Sequence, residues 1–255
     1  MPRVWRHLQV KTNKELFWHV NFAHRGLHDI ANKVPENSLL AFKLAADKGY
    51  GAELDVQLSK DGQVVVFHDS DLKRVCGIDR RVDSYDYEEL HKMRLLDTDE
   101  TIPLFTDVLK EFGRGGGPLI VELKTGKKNN ELCEKTYRIL QDYPGIYCIE
   151  SFDPMIVRWF MKNAPDVFRG QLAAGYKDYR PTYPAILAFF LSHCSFCFLN
   201  KPDFIAYQNV KRPRYVLRKR RKGVMLFAWT SRKPDIDQKL NDAVIFEKYR
   251  PELKY

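Results

Sequence analysis

The chain has 255 residues, of which 44% are hydrophobic, 29% charged and 13% aromatic, a composition that excludes a disordered chain, a collagen-like repeat and a disulfide-stapled mini-domain. The length suits one sizeable core, and an α/β barrel uses about 250 residues as a single domain. The net charge of +9 is concentrated between Lys211 and Lys222, where eight basic residues occur without an acid, so the basicity marks one patch and not a nucleic-acid-binding surface.

Residues 1–16 form a basic segment with Arg3, Arg6, Lys11 and Lys14, and they lack the apolar core of a secretory signal. From there short β-rich runs alternate with helical patterns. Strands are expected at 19–24, 51–57, 118–124, 146–152, 168–173, within 196–206, at 224–229 and at 243–246. Helices are expected at 37–48, 106–112, 130–142, 154–163, 181–192, 210–222 and 234–240. Pro35, Pro154 and Pro234 stand where first helical turns begin, and Gly49 and Gly223 where helices stop. Eight β–α repeats in this length predict a (β/α)8 TIM barrel, with 1–255 as one domain and 17–250 as the barrel proper. An extra strand at 64–68 and the Asp- and Arg-rich stretch 70–101 break the rhythm. That stretch reads as a small insertion after strand 2, standing over the active-site mouth.

The five cysteines, Cys76, Cys133, Cys148, Cys194 and Cys197, are odd in number and irregularly spaced, which does not read as a disulfide framework. Cys194 and Cys197 sit in an apolar run and are expected to be buried thiols. The apolar stretch 185–199 contains Ser192, His193 and Ser195 and falls short of the roughly 18–20 apolar residues that span a bilayer. It is expected to be a core helix and a buried strand of the barrel wall; the competing reading is a lip for acyl chains. A cytoplasmic or membrane-associated location is expected, and the sequence leaves open an anchor upstream of Met1.

Four motifs fall at the ends of expected strands: His24-Arg25-Gly26 with Pro35-Glu36-Asn37-Ser38, Glu53-Leu54-Asp55, His68-Asp69, and Glu122-Leu123-Lys124. Residues two apart on a strand share a face, so Glu53 and Asp55 point together, as do Glu122 and Lys124. At the strand C-termini of a barrel that direction is the mouth. Three converging carboxylates repel unless a cation lies between them, and all-oxygen ligation suits Mg2+, Ca2+ or Mn2+. Two histidines beside such a cation can take and give a proton near neutral pH. Arg25 and Lys124 add positive charge suited to a phosphoryl oxygen. Together these groups point to phosphodiester cleavage.

In order and placement these motifs resemble the glycerophosphodiester phosphodiesterase family, from about Asn21 to Arg250. Leu72-x-Arg74 with Gly77, Ile102-Pro103-Leu104, Ser151-Phe152 and Trp229-Thr230 extend the resemblance. It implies a metal-dependent (β/α)8 barrel that splits glycerophosphodiesters into glycerol 3-phosphate and an alcohol. It implies Glu53, Asp55 and Glu122 as ligands of one divalent cation, His24 and His68 as the acid–base pair, and Arg25 and Lys124 as phosphate contacts. The residues alone suggest the same roles for these seven. By resemblance, Glu36 and Asn37 brace the first loop, with Asn37 also near the site, and Trp229 walls the glycerol side.

The family usually continues Trp-Thr with Val-Asn and ends its last strand with Asp-Tyr-Pro, where this chain has Ser231-Arg232 and Glu247. Both departures are expected to affect the fit of substrate and not the metal chemistry. Two other functions compete: a barrel phospholipase acting on intact lipid, phospholipase D-like or cyclising, and a non-catalytic membrane-associated module. The presence of both histidines argues against the module. Which histidine is acid and which base stays open at this point, as does water against a substrate hydroxyl as nucleophile. The basic run Lys211–Lys222 and the basic N-terminal segment are expected at the bottom of the barrel, available to an anionic membrane.

Overall fold

The computed structural model describes residues 14–233 and 238–255. β1 (Asn21–Ala23) leads into α1 (Leu39–Asp47) and β2 (Gly51–Leu58), and β3 (Val64–Val66) folds back antiparallel along β2. α2 (Lys73–Cys76), α3 (Tyr87–Leu90) and α4 (Phe105–Phe112) precede β4 (Leu119–Leu123). Then come α5 (Asn129–Gln141), β5 (Tyr147–Ser151), α6 (Pro154–Asn163) and β6 (Arg169–Ala173). α7 (Tyr176–Tyr179), α8 (Ala185–Ser192) and α9 (Cys197–Asn200) lie between β6 and β7 (Phe204–Gln208). α10 (Arg214–Arg221), β8 (Met225–Ser231) and β9 (Ala243–Phe246) complete the order.

Eight strands are parallel neighbours in the order β1-β9-β8-β7-β6-β5-β4-β2, and pairing of Phe22 with Gly51 joins the first to the last. The sheet is thus the expected closed (β/α)8 barrel, in which no parallel strand is left with an open edge. Local chemistry sets the helix starts. Ser38 caps α1 by accepting from the Ala41 amide at 3.1 Å, and Asp153 caps α6, whose first residue is Pro154.

Strand alternation divides the core in two. Outward residues such as Leu54, Val56 and Val121 pack against Phe42, Phe112 and Phe160 of the helices. Inward residues at the lower strand ends, Phe22, Ile120, Cys148, Phe204, Phe227 and Ile245, fill the barrel. Phe204 stacks on Phe227 at 4.3 Å, and Phe17 stacks on Phe168 at 4.9 Å. Gly170 yields the space that Phe204 takes, since a Cβ there would lie 2.2 Å from its ring. With its lower half packed solid, the barrel has room for polar chemistry only at the strand C-termini.

The apolar stretch 185–199 departs from expectation. Only Ala188 and Ser192 of α8 are buried, while Ile186, Phe189 and Phe190 are exposed, and Phe198 of α9 is 66% exposed. A strand is confined to Phe204–Gln208; residues 197–200 form a helical turn that ends at left-handed Lys201 (φ 40°) before Pro202. The segment is apolar yet packs only a narrow face on the barrel, so hydrophobicity alone misread it as core. Cys194 and Cys197 are buried free thiols, as expected, and Cys76 is half-buried. Of the helix expected at 234–240, residues 234–237 lie outside the described residues and 238–240 are helical.

α10 begins after Pro213 and carries Arg218, Lys219, Arg220 and Arg221 in its last turn. Its end meets β8 at that strand's start, on the face opposite the strand C-termini. Lys14 donates to the Gly223 carbonyl there, and Arg220 pairs with Asp242 at 2.8 Å. Arg3, Arg6 and Lys11 lie outside the described residues. Among the described residues no helix is long and apolar enough to cross a membrane.

The stacked interior makes Phe204 a keystone. Phe204→Ala is expected to lower unfolding free energy by about 3–5 kcal/mol, the range for deleting a buried aromatic ring. Urea unfolding of both proteins measures it, and a loss below about 1 kcal/mol would contradict the packing described.

Candidate active site

Above the aromatic layer, the inward positions turn from apolar to charged. β2 supplies Glu53 and Asp55, and registry places Asp55 beside Glu122 of β4 and Glu122 beside Glu150 of β5. All four carboxyl groups are buried. Oxygens of Glu53, Glu122 and Glu150 lie within 4.8 Å of one another. Asp55 sits beside this triangle: its carboxylate accepts from Asn37 Nδ2 at 2.8 Å and from Lys124 Nζ at 3.2 Å. Lys124 also donates to Glu122 at 2.8 Å.

The first loop is shaped to reach these acids. Arg25, Gly26 and Asn37 have positive φ, and Gly26 lies so close to α1 that a Cβ would sit 2.8 Å from that of Ala41. The turn aims the Arg25 amide at Glu53 (3.0 Å) and leaves Arg25 Nε 3.6 Å from Asp55. Arg25 Nη1 donates to Glu36 at 2.7 Å. Glu36 in turn accepts from Arg74 of α2 at 2.6 and 3.0 Å, and Arg74 donates to Asp69 at 2.7 Å. Asp69 holds His68 Nδ1 at 2.6 Å. A chain of alternating charge therefore runs from Arg25 to His68. Glu36 braces that chain, and Arg74 from the insertion is the link that sequence reasoning noted only as a motif match.

His24 follows β1 and is 14% exposed in its side chain. Its Nδ1 lies 2.9 Å from Glu247 Oε2, just beyond β9. A carboxylate only accepts, so Nδ1 carries the hydrogen and Nε2 keeps its lone pair. Glu247, expected from the sequence to affect substrate fit, is the partner of His24, with Arg232 on its other oxygen at 2.6 Å. The signal was present, because Glu247 and Ile245 share a strand face and Ile245 lines the barrel interior. Trp229 stands near the end of β8, its indole donating to the Ala173 and Ala206 carbonyls and its ring edge-on to Phe152 at 5.5 Å.

The charges are strongly perturbed. Burial, then the neighbouring acids, raises Glu53 and Glu150 well above their ordinary values; burial also raises Glu122, though Lys124 opposes the shift. Asp55 goes the other way: burial alone would raise it, but Lys124, His68 and Arg25 hold it well below that range. Burial pushes His24 down to about 4 even though Glu247 opposes the shift. The bond to His24 holds Glu247 at about 2. Glu150 Oε2 is buried without a hydrogen-bond partner. Acids that repel one another, one with an orphaned oxygen, fit a site completed by a divalent cation bound through oxygen.

A cavity of about 770 Å3 opens over Glu122 and Lys124, lined also by Gln57, His68, Phe152 and Tyr179, with Arg81 and Asp83 contributed by the insertion. Its size suits a small organic phosphate.

His24 is expected to stay neutral down to about pH 5, and its ring resonances should show no midpoint between pH 7.5 and 5 by NMR titration. Because the unfolded chain protonates this ring near 6.5 and the folded chain near 4, stability contributed by His24 is full above 6.5 and is lost as pH falls toward 4. A midpoint near 6.5 would contradict the burial of this ring.

Residues 24–245 match the glycerophosphoryl diester phosphodiesterase family. A glycerophosphodiester phosphodiesterase of Caldanaerobacter subterraneus is 31% identical over 234 residues, covering 87% of this chain and 90% of that protein. A lysophospholipase D of Rattus norvegicus is 32% identical over 143 residues, 51% of this chain and 43% of its own. Against two further bacterial relatives the match spans less than half of either chain. An Oleispira antarctica phosphodiesterase, solved with sn-glycerol-3-phosphate, shares the fold with a TM-score of 0.73 and 22% identity, covering 90% of this chain and 93% of its own. A barrel with these acids and histidines at its mouth, matched from His24 to Ile245, belongs to the glycerophosphoryl diester phosphodiesterase family.

Proposed function

We propose that the chain hydrolyses glycerophosphodiesters to glycerol 3-phosphate and an alcohol. The observation that carries this reading is the meeting, in one mouth, of buried carboxylates with two histidines, each anchored through Nδ1 by a carboxylate. Glu53, Asp55 and Glu122 hold one divalent cation, with Mg2+, Ca2+ and Mn2+ the candidates. Bound there, it supplies Lewis-acid polarisation of a phosphoryl oxygen. Arg25, whose buried Nε has no hydrogen-bond partner, and Lys124 contact the phosphate.

His24, neutral above about pH 4, accepts the proton of the attacking hydroxyl at Nε2. His68, which lines the cavity, delivers a proton to the departing alkoxide as the phosphorus–oxygen bond breaks. The same division serves water or a neighbouring substrate hydroxyl, the second giving a cyclic phosphate that water opens. Asn37 fixes Asp55, Glu36 fixes Arg25, and Trp229 walls the glycerol side.

Chelation is expected to abolish hydrolysis of a soluble glycerophosphodiester, and added divalent cation to restore it. His24→Ala and His68→Ala are each expected to lower kcat by at least about a hundredfold. Full turnover in excess chelator, or losses of only a few-fold in both variants, would overturn the scheme.

A second reading, release of the headgroup from a lysophospholipid, is favoured by the exposed Ile186, Phe189 and Phe190. Their helix starts two residues after Tyr183, which lines the cavity. The basic end of α10 offers the opposite face to an anionic membrane. One vesicle experiment separates the two orientations. If the mouth meets lipid, Ile186→Ser with Phe190→Ser lowers both vesicle binding and lysolipid turnover. If the bottom does, neutralising Arg218–Lys222 lowers vesicle binding and leaves soluble turnover unchanged.

A further inference from the structure

Glu150 has no role in the scheme above, and its surroundings assign it one. It sits on β5 directly beside Glu122, two residues beyond Cys148, which lines the barrel interior. It is 1% exposed, and its Oε2 has no hydrogen-bond partner. Burying such an oxygen unpaired is strongly unfavourable, so its place in a folded chain calls for a partner that the protein itself does not supply.

The partner's charge follows from the neighbours. Four carboxylates, Glu53, Asp55, Glu122 and Glu150, face the two cations Arg25 and Lys124, and Arg25 is already shared with Glu36. With all four ionised, the state in which carboxylates bind a metal, the imbalance is at least that of one divalent ion. The partner's place follows from distance. Glu150 offers an oxygen within 4.8 Å of oxygens of both Glu53 and Glu122, a spacing that one cation with bonds of about 2.3–2.6 Å spans. Asp55 is more encumbered, held by Asn37 and Lys124.

We propose that Glu150 is a further protein ligand of the divalent cation, bound directly through its carboxylate. This rests on the reading of Glu53 and Glu122 as metal ligands and extends it. A fourth carboxylate adds charge and a ligand, which suits Ca2+, with its six to eight oxygens, more than Mg2+, which keeps several waters and uses one or two carboxylates. The residue therefore sets which ion the site takes.

The test is calorimetric titration of the metal-free full chain with Ca2+ alone and with Mg2+ alone, for the wild type, Glu150→Gln and Glu53→Gln, with circular dichroism to establish folding. Gln preserves the size of the side chain and mimics a protonated acid, so it separates a ligand from a neutral hydrogen-bonding group. Glu150→Gln is expected to weaken Ca2+ binding at least about tenfold and Mg2+ binding less than about threefold. It should also raise the melting temperature of the metal-free protein, since a buried repulsion is removed, and shrink the shift that Ca2+ produces. Unchanged Ca2+ affinity in folded Glu150→Gln, with binding lost in Glu53→Gln, overturns the role of Glu150 alone. If the wild type binds neither ion, the metal site itself fails. Should Glu150→Gln not fold, Glu150→Asp replaces it: a shortened ligand must still weaken Ca2+ more than Mg2+, and equal effects on both ions overturn the proposal.

Discussion

Mutual repulsion among buried acids is the constraint around which this molecule is arranged. Glu53, Glu122 and Glu150 are buried together at the barrel mouth, and each is pushed toward its neutral form first by burial and then by neighbouring acids, Asp55 among them in every case. Their positions are not adjustable, because they are fixed by strand register and by the aromatic layer beneath. The surroundings respond in kind. Lys124 bridges Asp55 and Glu122, the Arg25 amide faces Glu53, and Asn37 spends its side chain on Asp55. A left-handed turn at Arg25 and a glycine pressed on Ala41 let the loop come this close.

The two histidines are treated differently, and the difference is physical. His24 is enclosed, and burial outweighs the pull of Glu247 on its proton. His68 is 32% exposed and lines the cavity, held by Asp69 within the chain of alternating charges. An enclosed neutral ring suits proton acceptance, and a ring at the cavity wall suits donation to a group on its way out. In the proposed scheme, environment and not residue type divides the labour.

Much of this was legible in the amino-acid sequence because it rests on alternation. Glu53 and Asp55, and Glu122 and Lys124, each reveal a strand face by spacing alone, and eight strands in this length leave a closed barrel as the natural arrangement. Glu150 and Glu247 were harder to see. Each lies in a short strand end with no second chemical residue at the right spacing, so only registry with β4 and proximity to His24 bring them into the site. Arg74 shows in the sequence only as part of a motif, and its partner does not show at all, because an ion pair across 38 positions leaves no local pattern. The exposed face of α8 defeats hydrophobicity-based reading, because an apolar helix looks the same in sequence whether it faces a core or a solvent-side opening.

The segment between β3 and α4 carries its own small cluster of apolar residues, including Leu72, Val75, Val82, Leu90 and Leu95, distinct from both cores of the barrel. A piece that folds on itself can be remodelled without loosening the scaffold that bears it. Its obligations to the catalytic end are His68, the Asp69 that holds it, and Arg74, which ties Glu36 to Asp69, while Arg81 and Asp83 border the opening. The rim of the opening thus rests largely on an apolar cluster of its own, so that half-exposed side chains such as Arg81 and Asp83 can change there while His68, Asp69 and Arg74 keep their places.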